Sequence, residues 1–197
     1  MHAVDYRLAP EHRFPNAFED CLAAYRWTVG DGGTDSRTVA ILGDSAGGNL
    51  AVAVTVAARE EKLPLPSCVA TISPFADLTF SGASLALRKD ADPFVTRDSL
   101  EFMAAEYLGN ADPSDPRCSA VFADFRGLPP LLIQVGENEI LFDDAVRIRD
   151  AAMTAGVDTT FQAWTHGFHV WPVFISAGIP ESALAIEDLA AFLRRHS

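Results

Sequence analysis

The chain has 197 residues, 49% of them hydrophobic, and a formal net charge of -12 at pH 7. This length suits one domain, residues 1–197, with a hydrophobic core. The acidic charge argues against a nucleic-acid partner, and no apolar run approaches the length of a membrane span, so a membrane partner is not expected either. Cys21, Cys68 and Cys118 are odd in number and lack metal-ligand spacing, which favours reduced thiols and a cytoplasmic location.

Strands and helices alternate along the chain. Predicted strands cover residues 3–7, 38–42, 68–73, 130–135 and 157–163, and predicted helices cover residues 17–29, 49–62, 96–107, 143–155 and 181–196. This alternation is typical of an α/β fold with a mainly parallel sheet flanked by helices. Residues 77–126 break the alternation with Asp-Pro pairs and scattered charges. We expect this segment to be a cap-like insertion over the sheet.

The most informative motif is Gly-Asp-Ser-Ala-Gly-Gly-Asn at residues 43–49, which contains Gly-x-Ser-x-Gly between a predicted strand and a predicted helix. A sharp turn in this context presents a serine hydroxyl so that it can attack a carbonyl carbon. We expect glycine two residues before and after Ser45 because a Cβ at either position would clash in the turn. Ser45 is therefore the candidate nucleophile. The alternative is a glycine-rich turn that only packs or holds an anion at the helix N-terminus.

A serine nucleophile needs a base to take its proton and a carboxylate to orient that base. Both should follow later strands, because the carboxyl ends of parallel strands meet at one edge of the sheet. An acidic segment, residues 137–144, follows the fourth predicted strand, and residues 166–171, which contain two histidines, follow the fifth. The resulting order of serine, acid and histidine is that of the α/β-hydrolases.

Three motifs together resemble the bacterial hormone-sensitive-lipase-like esterases, a family of α/β-hydrolases. They are Asp-Tyr-Arg-Leu-Ala-Pro-Glu at residues 5–11, the serine motif at residues 43–49, and Asp-Pro-Phe at residues 92–94 with the helix that follows. The resemblance covers nearly the whole chain. It implies a serine carboxylesterase that hydrolyses short-chain acyl esters of small molecules without a cofactor, with residues 77–126 bounding the acyl pocket.

The resemblance also implies which carboxylate is the acid. In the family it lies three positions after the glycine that ends its strand, with a leucine two residues later and an aspartate two beyond that. Glu139, Leu141 and Asp143 match this spacing, although the family usually has aspartate where this chain has Glu139. Asp143 and Glu137 remain alternatives. Asp143 is also expected to be the N-cap of the next helix, and Glu137 a solvated loop charge.

Two histidines compete for the role of base. One branch of the family has His-Val-Trp about five residues beyond an aromatic residue at the strand end, which favours His169 counted from Trp164. A commoner branch has His-Gly-Phe, which matches His166. We favour His169, and we expect the main-chain N–H of Ala46 to be one donor to the oxyanion. No third ligand lies near the two histidines in sequence, so no metal site is predicted.

The sequence lacks the Gly-rich loop of the His-Gly-Gly-Gly type that normally supplies a second oxyanion donor. The resemblance further implies strands and a helical cap before residue 5, so we expect this chain to be truncated at its amino end. Lost strands would expose a sheet edge near residues 3–7, through which two copies could form a homodimer.

Two other functions stay open at this point. One is a catalytically weak or silent hydrolase fold that binds a small ligand, as in some plant hormone receptors similar to the family. The filled acid and histidine positions argue against it, and the missing oxyanion loop argues for it. The other is an amidase or peptidase, which would use the same residues.

Overall fold

A four-stranded parallel sheet with the spatial order β1-β2-β3-β4 forms the centre of the structure, a computed structural model that describes residues 1–196. The strands are β1 (Ala40–Asp44), β2 (Cys68–Ile72), β3 (Leu131–Gly136) and β4 (Thr159–Trp164). The helices are α1 (Asn16–Val29), α2 (Ala46–Glu60), α3 (Ser84–Leu87), α4 (Arg97–Leu108), α5 (Phe142–Thr154) and α6 (Pro180–His196). Short 3-10 turns occupy Ser36–Thr38, Ala120–Phe122 and Trp171–Ala177. The predicted α/β fold with a parallel sheet flanked by helices is confirmed.

The sheet is covered on both faces, as expected for parallel strands. Ile133 and Val135 of β3 pack into one cluster with Val52 of α2 and Ile148 of α5. Leu132 points to the opposite face, where it packs with residues of α6. Every residue of β3 is buried, since the strand lies between β2 and β4 and has helices on both sides. None of the helices in the described part of the chain is long and apolar enough to cross a membrane.

Residues 77–126 contain α3, α4 and one 3-10 turn, and no strand is found in this described segment. Helix α4 begins with a capping box in which Thr96 and Ser99 exchange side-chain to main-chain hydrogen bonds. Leu85 and Leu100 pack in a cluster with Ile140 and Leu141, which lie between β3 and α5. The insertion therefore rests on the loop that follows β3. Its role as a cap stays a prediction.

The N-terminal segment differs from the prediction. Residues 3–7 form no strand, and the N–H of Arg7 donates to the carboxylate of Asp20 instead of to a neighbouring strand. A strand needs a paired neighbour, and within residues 1–196 the sheet ends at β1, which pairs only with β2. On this side of the sheet the unpaired edge is therefore that of β1, where Leu42 is 46% exposed. The homodimer contact stays a prediction.

Candidate active site

Ser45 sits on the turn between β1 and α2 in a backbone conformation that few residues other than glycine adopt. Its φ is 51° and its ψ is -119°. The surrounding chain fixes this conformation, because the Ser45 N–H donates to the Ile72 carbonyl at 2.9 Å and the Ser45 carbonyl accepts from the Phe75 N–H at 2.9 Å. Both partners lie at the carboxyl end of β2. A strained residue fixed by its neighbours at a sheet edge is typical of a functional turn.

Of the two glycines that flank Ser45 in the motif, Gly43 has the predicted role and Gly47 does not. A Cβ on Gly43 would lie 2.0 Å from the Gly47 carbonyl oxygen, so position 43 has no room for a side chain. Apart from its chain neighbours and the backbone of its own helix, a Cβ on Gly47 would have no atom within 4 Å, and the prediction that Gly47 must itself lack a side chain is wrong. What crowds position 43 is the main-chain carbonyl of Gly47. Gly48 is the second crowded position, since a Cβ there would lie 3.1 Å from the Cα of Pro74.

Ser45, His169 and Glu139 form a continuous chain of hydrogen bonds. His169 Nε2 lies 3.0 Å from Ser45 Oγ, and His169 Nδ1 lies 3.2 Å from Glu139 Oε2. Both His169 and Glu139 are buried. If Nδ1 carries the proton that Glu139 accepts, Nε2 is left as an acceptor for the serine hydroxyl. This arrangement can remove a proton from Ser45.

The Glu139 carboxylate has two further hydrogen-bond partners, which the sequence did not suggest. Its Oε1 accepts from the main-chain N–H of Gly136 at 2.6 Å and from Ser73 Oγ at 2.7 Å. Ser73 directly follows β2, at the sheet edge where Ser45 and Glu139 also lie. This position after a strand was the only signal available in the sequence. With these donors, the buried carboxylate is fully paired.

The alternative site residues lie elsewhere. His166 is exposed in the turn after β4, and Glu137 is exposed after β3. Asp143 was predicted to be the N-cap of α5, and this prediction is wrong. The helix begins at Phe142, and its N-cap is Leu141. The Asp143 carboxylate instead accepts from the N–H of Ser84 at 2.9 Å, which ties α5 to α3.

Ala46 is the first residue of α2, directly after Ser45. The first N–H groups of a helix have no carbonyl partner within that helix, so the Ala46 N–H is suited to bind an oxyanion formed beside Ser45. Among residues 1–196, no group of three or more His, Cys, Asp or Glu side chains is placed to hold a metal ion.

Aromatic side chains lie beside the histidine. The Phe94 ring centroid is 6.2 Å from that of His169 and 5.5 Å from that of Phe174, and Phe94 is 55% exposed. The buried carboxylate of Asp92 holds this turn in place, because it accepts from the N–H of Phe94 at 2.9 Å and from the N–H of Ile140 at 3.2 Å. The insertion thus places an apolar ring near the hydrogen-bonded chain.

A family model for the alpha/beta hydrolase fold matches residues 1–173. The chain belongs to the α/β-hydrolase fold family. The order of strands and the strained serine between β1 and α2 agree with this family.

Three relatives define the resemblance more closely. This α/β-hydrolase is 45% identical to an acetyl-hydrolase from Streptomyces hygroscopicus, over 98% of this chain and 64% of the relative. It is 36% identical to an esterase from Acinetobacter venetianus, over 96% of this chain and 62% of the relative. The crystal structure of an esterase from the bacterial hormone-sensitive lipase family matches it with a TM-score of 0.94 at 43% identity, over 98% of this chain and 64% of that one. The predicted resemblance is confirmed, and the chain spans less than two thirds of the length of these relatives.

A further buried carboxylate of the hydrolase, that of Asp144, lies behind the site. Asp144 Oδ2 accepts from the N–H groups of Ala76 and Asp77 at 2.8 and 2.9 Å, and so holds the segment that follows Ser73. Burial raises the pKa of Asp144 to about 7, and the nearby charge of Asp77 acts in the same direction. The pKa of Asp77 itself is lowered: burial would raise it, but hydrogen bonds from Ser81 and Thr79 together outweigh that effect.

Proposed function

We propose that this α/β-hydrolase is a serine carboxylesterase that hydrolyses short-chain acyl esters through Ser45, His169 and Glu139. The observation that carries the proposal is the chain of hydrogen bonds from Ser45 Oγ through the imidazole to Glu139, beginning at a serine with a φ of 51°. Relatives named acetyl-hydrolase and esterase support the same reaction class.

In the first half of the reaction, Ser45 Oγ attacks the ester carbonyl carbon while His169 Nε2 accepts the hydroxyl proton. Glu139 keeps the imidazole in the tautomer that accepts at Nε2 and stabilises the imidazolium that forms. The tetrahedral oxyanion accepts a hydrogen bond from the Ala46 N–H. When the intermediate collapses, the C–O bond to the alcohol breaks, His169 returns the proton to the leaving alcohol, and the acyl group stays on Ser45.

In the second half, water attacks the acyl-enzyme while His169 accepts one of its protons. The carboxylic acid leaves, and the proton returns to Ser45 Oγ. No step requires a cofactor. A single donor of an oxyanion hole is worth about a hundred- to a thousand-fold in kcat in other enzymes, so the number of donors sets the rate of both halves.

Phe94 supports the binding of an apolar acyl group. It is a half-exposed ring beside His169, held by Asp92 against the loop that follows Glu139. An acyl chain bound to Ser45 could lie against this ring and lose contact with water. Because one relative is named an acetyl-hydrolase, we expect hydrolysis of p-nitrophenyl acetate and butyrate to exceed that of the decanoate.

The proposal is tested by hydrolysis of p-nitrophenyl acetate and by labelling with a fluorophosphonate probe. Ser45→Ala should lose labelling and lose at least about three orders of magnitude in kcat, because no other group replaces the nucleophile. Ser114→Ala removes an exposed serine whose hydroxyl donates to Asp112 and serves as the control, with both signals kept.

Hydrolysis or labelling that survives Ser45→Ala would overturn the proposed nucleophile. A folded wild-type chain that neither labels nor hydrolyses the ester would favour the ligand-binding alternative. Faster cleavage of a matched p-nitroanilide than of the ester would favour an amidase.

A further inference from the structure

Ser73 joins the two loops that carry the acid and the histidine. Its hydroxyl donates to Glu139 Oε1 at 2.7 Å and accepts from the N–H of Val170 at 3.0 Å. Val170 directly follows His169 in the chain. Ser73 is 0% exposed, so water cannot replace either partner. One hydroxyl group therefore connects the carboxylate to the main chain beside the imidazole.

The contact with Glu139 fixes which carboxylate oxygen faces the histidine. Oε1 is occupied by Ser73 and by the Gly136 N–H, and Oε2 is left for His169 Nδ1. Without the hydroxyl, Oε1 keeps one donor, and the carboxylate can rotate about its last torsion, which is intrinsically soft. The His169 to Glu139 distance of 3.2 Å would then be less well defined.

The contact with Val170 holds a strained backbone. Among residues 1–196, five residues other than glycine have positive φ, and three of them lie at this site: Ser45 at 51°, Ser73 at 49° and Val170 at 52°. A β-branched residue such as valine adopts this conformation only when its surroundings enforce it. The hydrogen bond from the Val170 N–H to Ser73 is one such constraint, and it acts one residue from the imidazole.

The other buried serines among residues 1–196 do not have this pair of partners. The Ser84 hydroxyl donates to the carbonyl of Ile140, that of Ser182 donates to the carbonyl of Trp171, and that of Ser119 accepts from the N–H of Leu78. These contacts join main-chain segments. Ser73 is distinguished from them because its hydroxyl reaches a side chain of the proposed catalytic set.

We propose that Ser73 is a positioning residue that sets the orientation of Glu139 and the path of the His169 loop for catalysis. This inference rests on the proposed function of Ser45, His169 and Glu139. Ser73 takes no proton and touches no substrate. It acts by reducing the number of arrangements that the acid and the base can adopt before the attack.

Two substitutions separate positioning from stability. Ser73→Ala removes the hydroxyl and keeps a side chain at a φ of 49°, whereas Ser73→Gly removes the hydroxyl and also relieves the backbone strain. The two variants should therefore differ in melting temperature, with glycine the more stable. Both should lose about ten- to a hundredfold in kcat for p-nitrophenyl acetate, since both lose a hydrogen bond to a buried charge. KM should change by less than about twofold, because the buried Ser73 does not face the substrate.

Ser119→Ala is the matched control. It removes another fully buried serine with one main-chain partner and should lower the melting temperature with kcat kept within about twofold. A kcat for Ser73→Gly equal to that of the wild type, or a kcat that follows the melting temperature across all three variants, would overturn the positioning role.

A readout that needs no catalysis completes the test. The imidazole Nδ1–H proton of His169, bonded to Glu139, should give a low-field NMR resonance in the wild type and in Ser119→Ala. It should shift or broaden in both Ser73 variants. An unchanged resonance in both would contradict the proposal. If the wild-type chain hydrolyses no ester, the proposed function fails, and this resonance still decides whether Ser73 orders the acid and the histidine.

Discussion

Ser45, the proposed nucleophile, and the proposed acid-histidine pair of Glu139 and His169 share one edge of the sheet, but they are built in different ways. The close packing of the Ser45 turn lies within a single motif, where Gly43 and the Gly47 backbone are in close contact. In the acid-histidine half, Gly136 at the end of β3 is in similarly close contact with the backbone of Gly167. A Cβ on Gly136 would lie 2.2 Å from the Gly167 carbonyl oxygen. That contact joins the end of β3 to the loop that follows β4.

The difference separates local from tertiary control of the site. A short motif can specify the steric part of the turn at Ser45, because the atoms crowded against Gly43 belong to Gly47 and Gly48 of the same motif. The hydrogen bonds of Ser45 to Ile72 and Phe75 still depend on the neighbouring strand. The position of His169 depends on Glu139, Ser73 and the β3 loop, which come together only when the sheet has formed. We therefore expect changes at the crowded glycines of the serine turn to act mainly on folding, and changes of the side chains in contact with Glu139 or His169 to act mainly on catalysis.

The largest expected effect is on the histidine. His169→Ala should lower kcat/KM for p-nitrophenyl acetate by about three orders of magnitude or more, because no base remains beside Ser45 Oγ. His166→Ala, a histidine three residues away and exposed, is the matched control and should stay within about twofold of the wild type. Equal losses in the two variants, measured as initial rates at one pH, would break the distinction between the two histidines.

This pair of histidines also shows what the sequence could determine. Motif spacing placed Ser45, Glu139 and His169 among the candidates, but it left His166 open because both histidines fit a known pattern within one short loop. The structure separates them by burial, since His169 is 3% exposed and His166 is exposed. Burial of a loop residue follows from tertiary packing, which no local pattern encodes.

The strands of the fold were predictable from the sequence in the same way, but some of its smaller features were not. Alternating apolar runs predicted β1 to β4 within about two residues at each end, since these strands are buried and short. Residues 3–7 have the same composition as a strand but find no paired neighbour. The four-residue helix α3 was missed because one turn is too short to show a period. Ser73 was missed because a single serine after a strand carries no pattern.

The next largest effect tests the serine turn itself. Gly43→Ala should destabilise the fold by at least about 4 kcal/mol or prevent folding, because its Cβ would lie 2.0 Å from the Gly47 carbonyl oxygen. Gly47→Ala should be neutral or stabilise by up to about 1 kcal/mol, since its Cβ meets open space in the first turn of α2. Urea unfolding of both variants measures the difference. A Gly47→Ala variant as unstable as Gly43→Ala would mean that both glycines are sterically required.

The smallest effect concerns Asp144, which holds the segment after Ser73 in the acid-histidine half. Its pKa of about 7 lies above the ordinary value of 3.8, so the folded state binds this proton more tightly than the unfolded state does. Its contribution to stability is therefore fully present below about pH 4 and is lost as the pH rises towards 7. Asp144→Asn removes this titration. The variant should gain more than about 1 kcal/mol in unfolding free energy relative to the wild type between about pH 5 and pH 8.

Asp115→Asn supplies the control for this titration. The side chain of Arg117 lowers the pKa of Asp115, so this carboxylate stays ionised from about pH 5 upwards and its replacement should give a difference that does not change over the same range. Urea unfolding at several pH values measures both differences. A flat difference for Asp144→Asn would show that its carboxylate is ionised throughout. The N–H groups of Ala76 and Asp77 would then compensate fully for its burial, and the acid-histidine half would be held by a permanent charge and not by one that titrates near neutral pH.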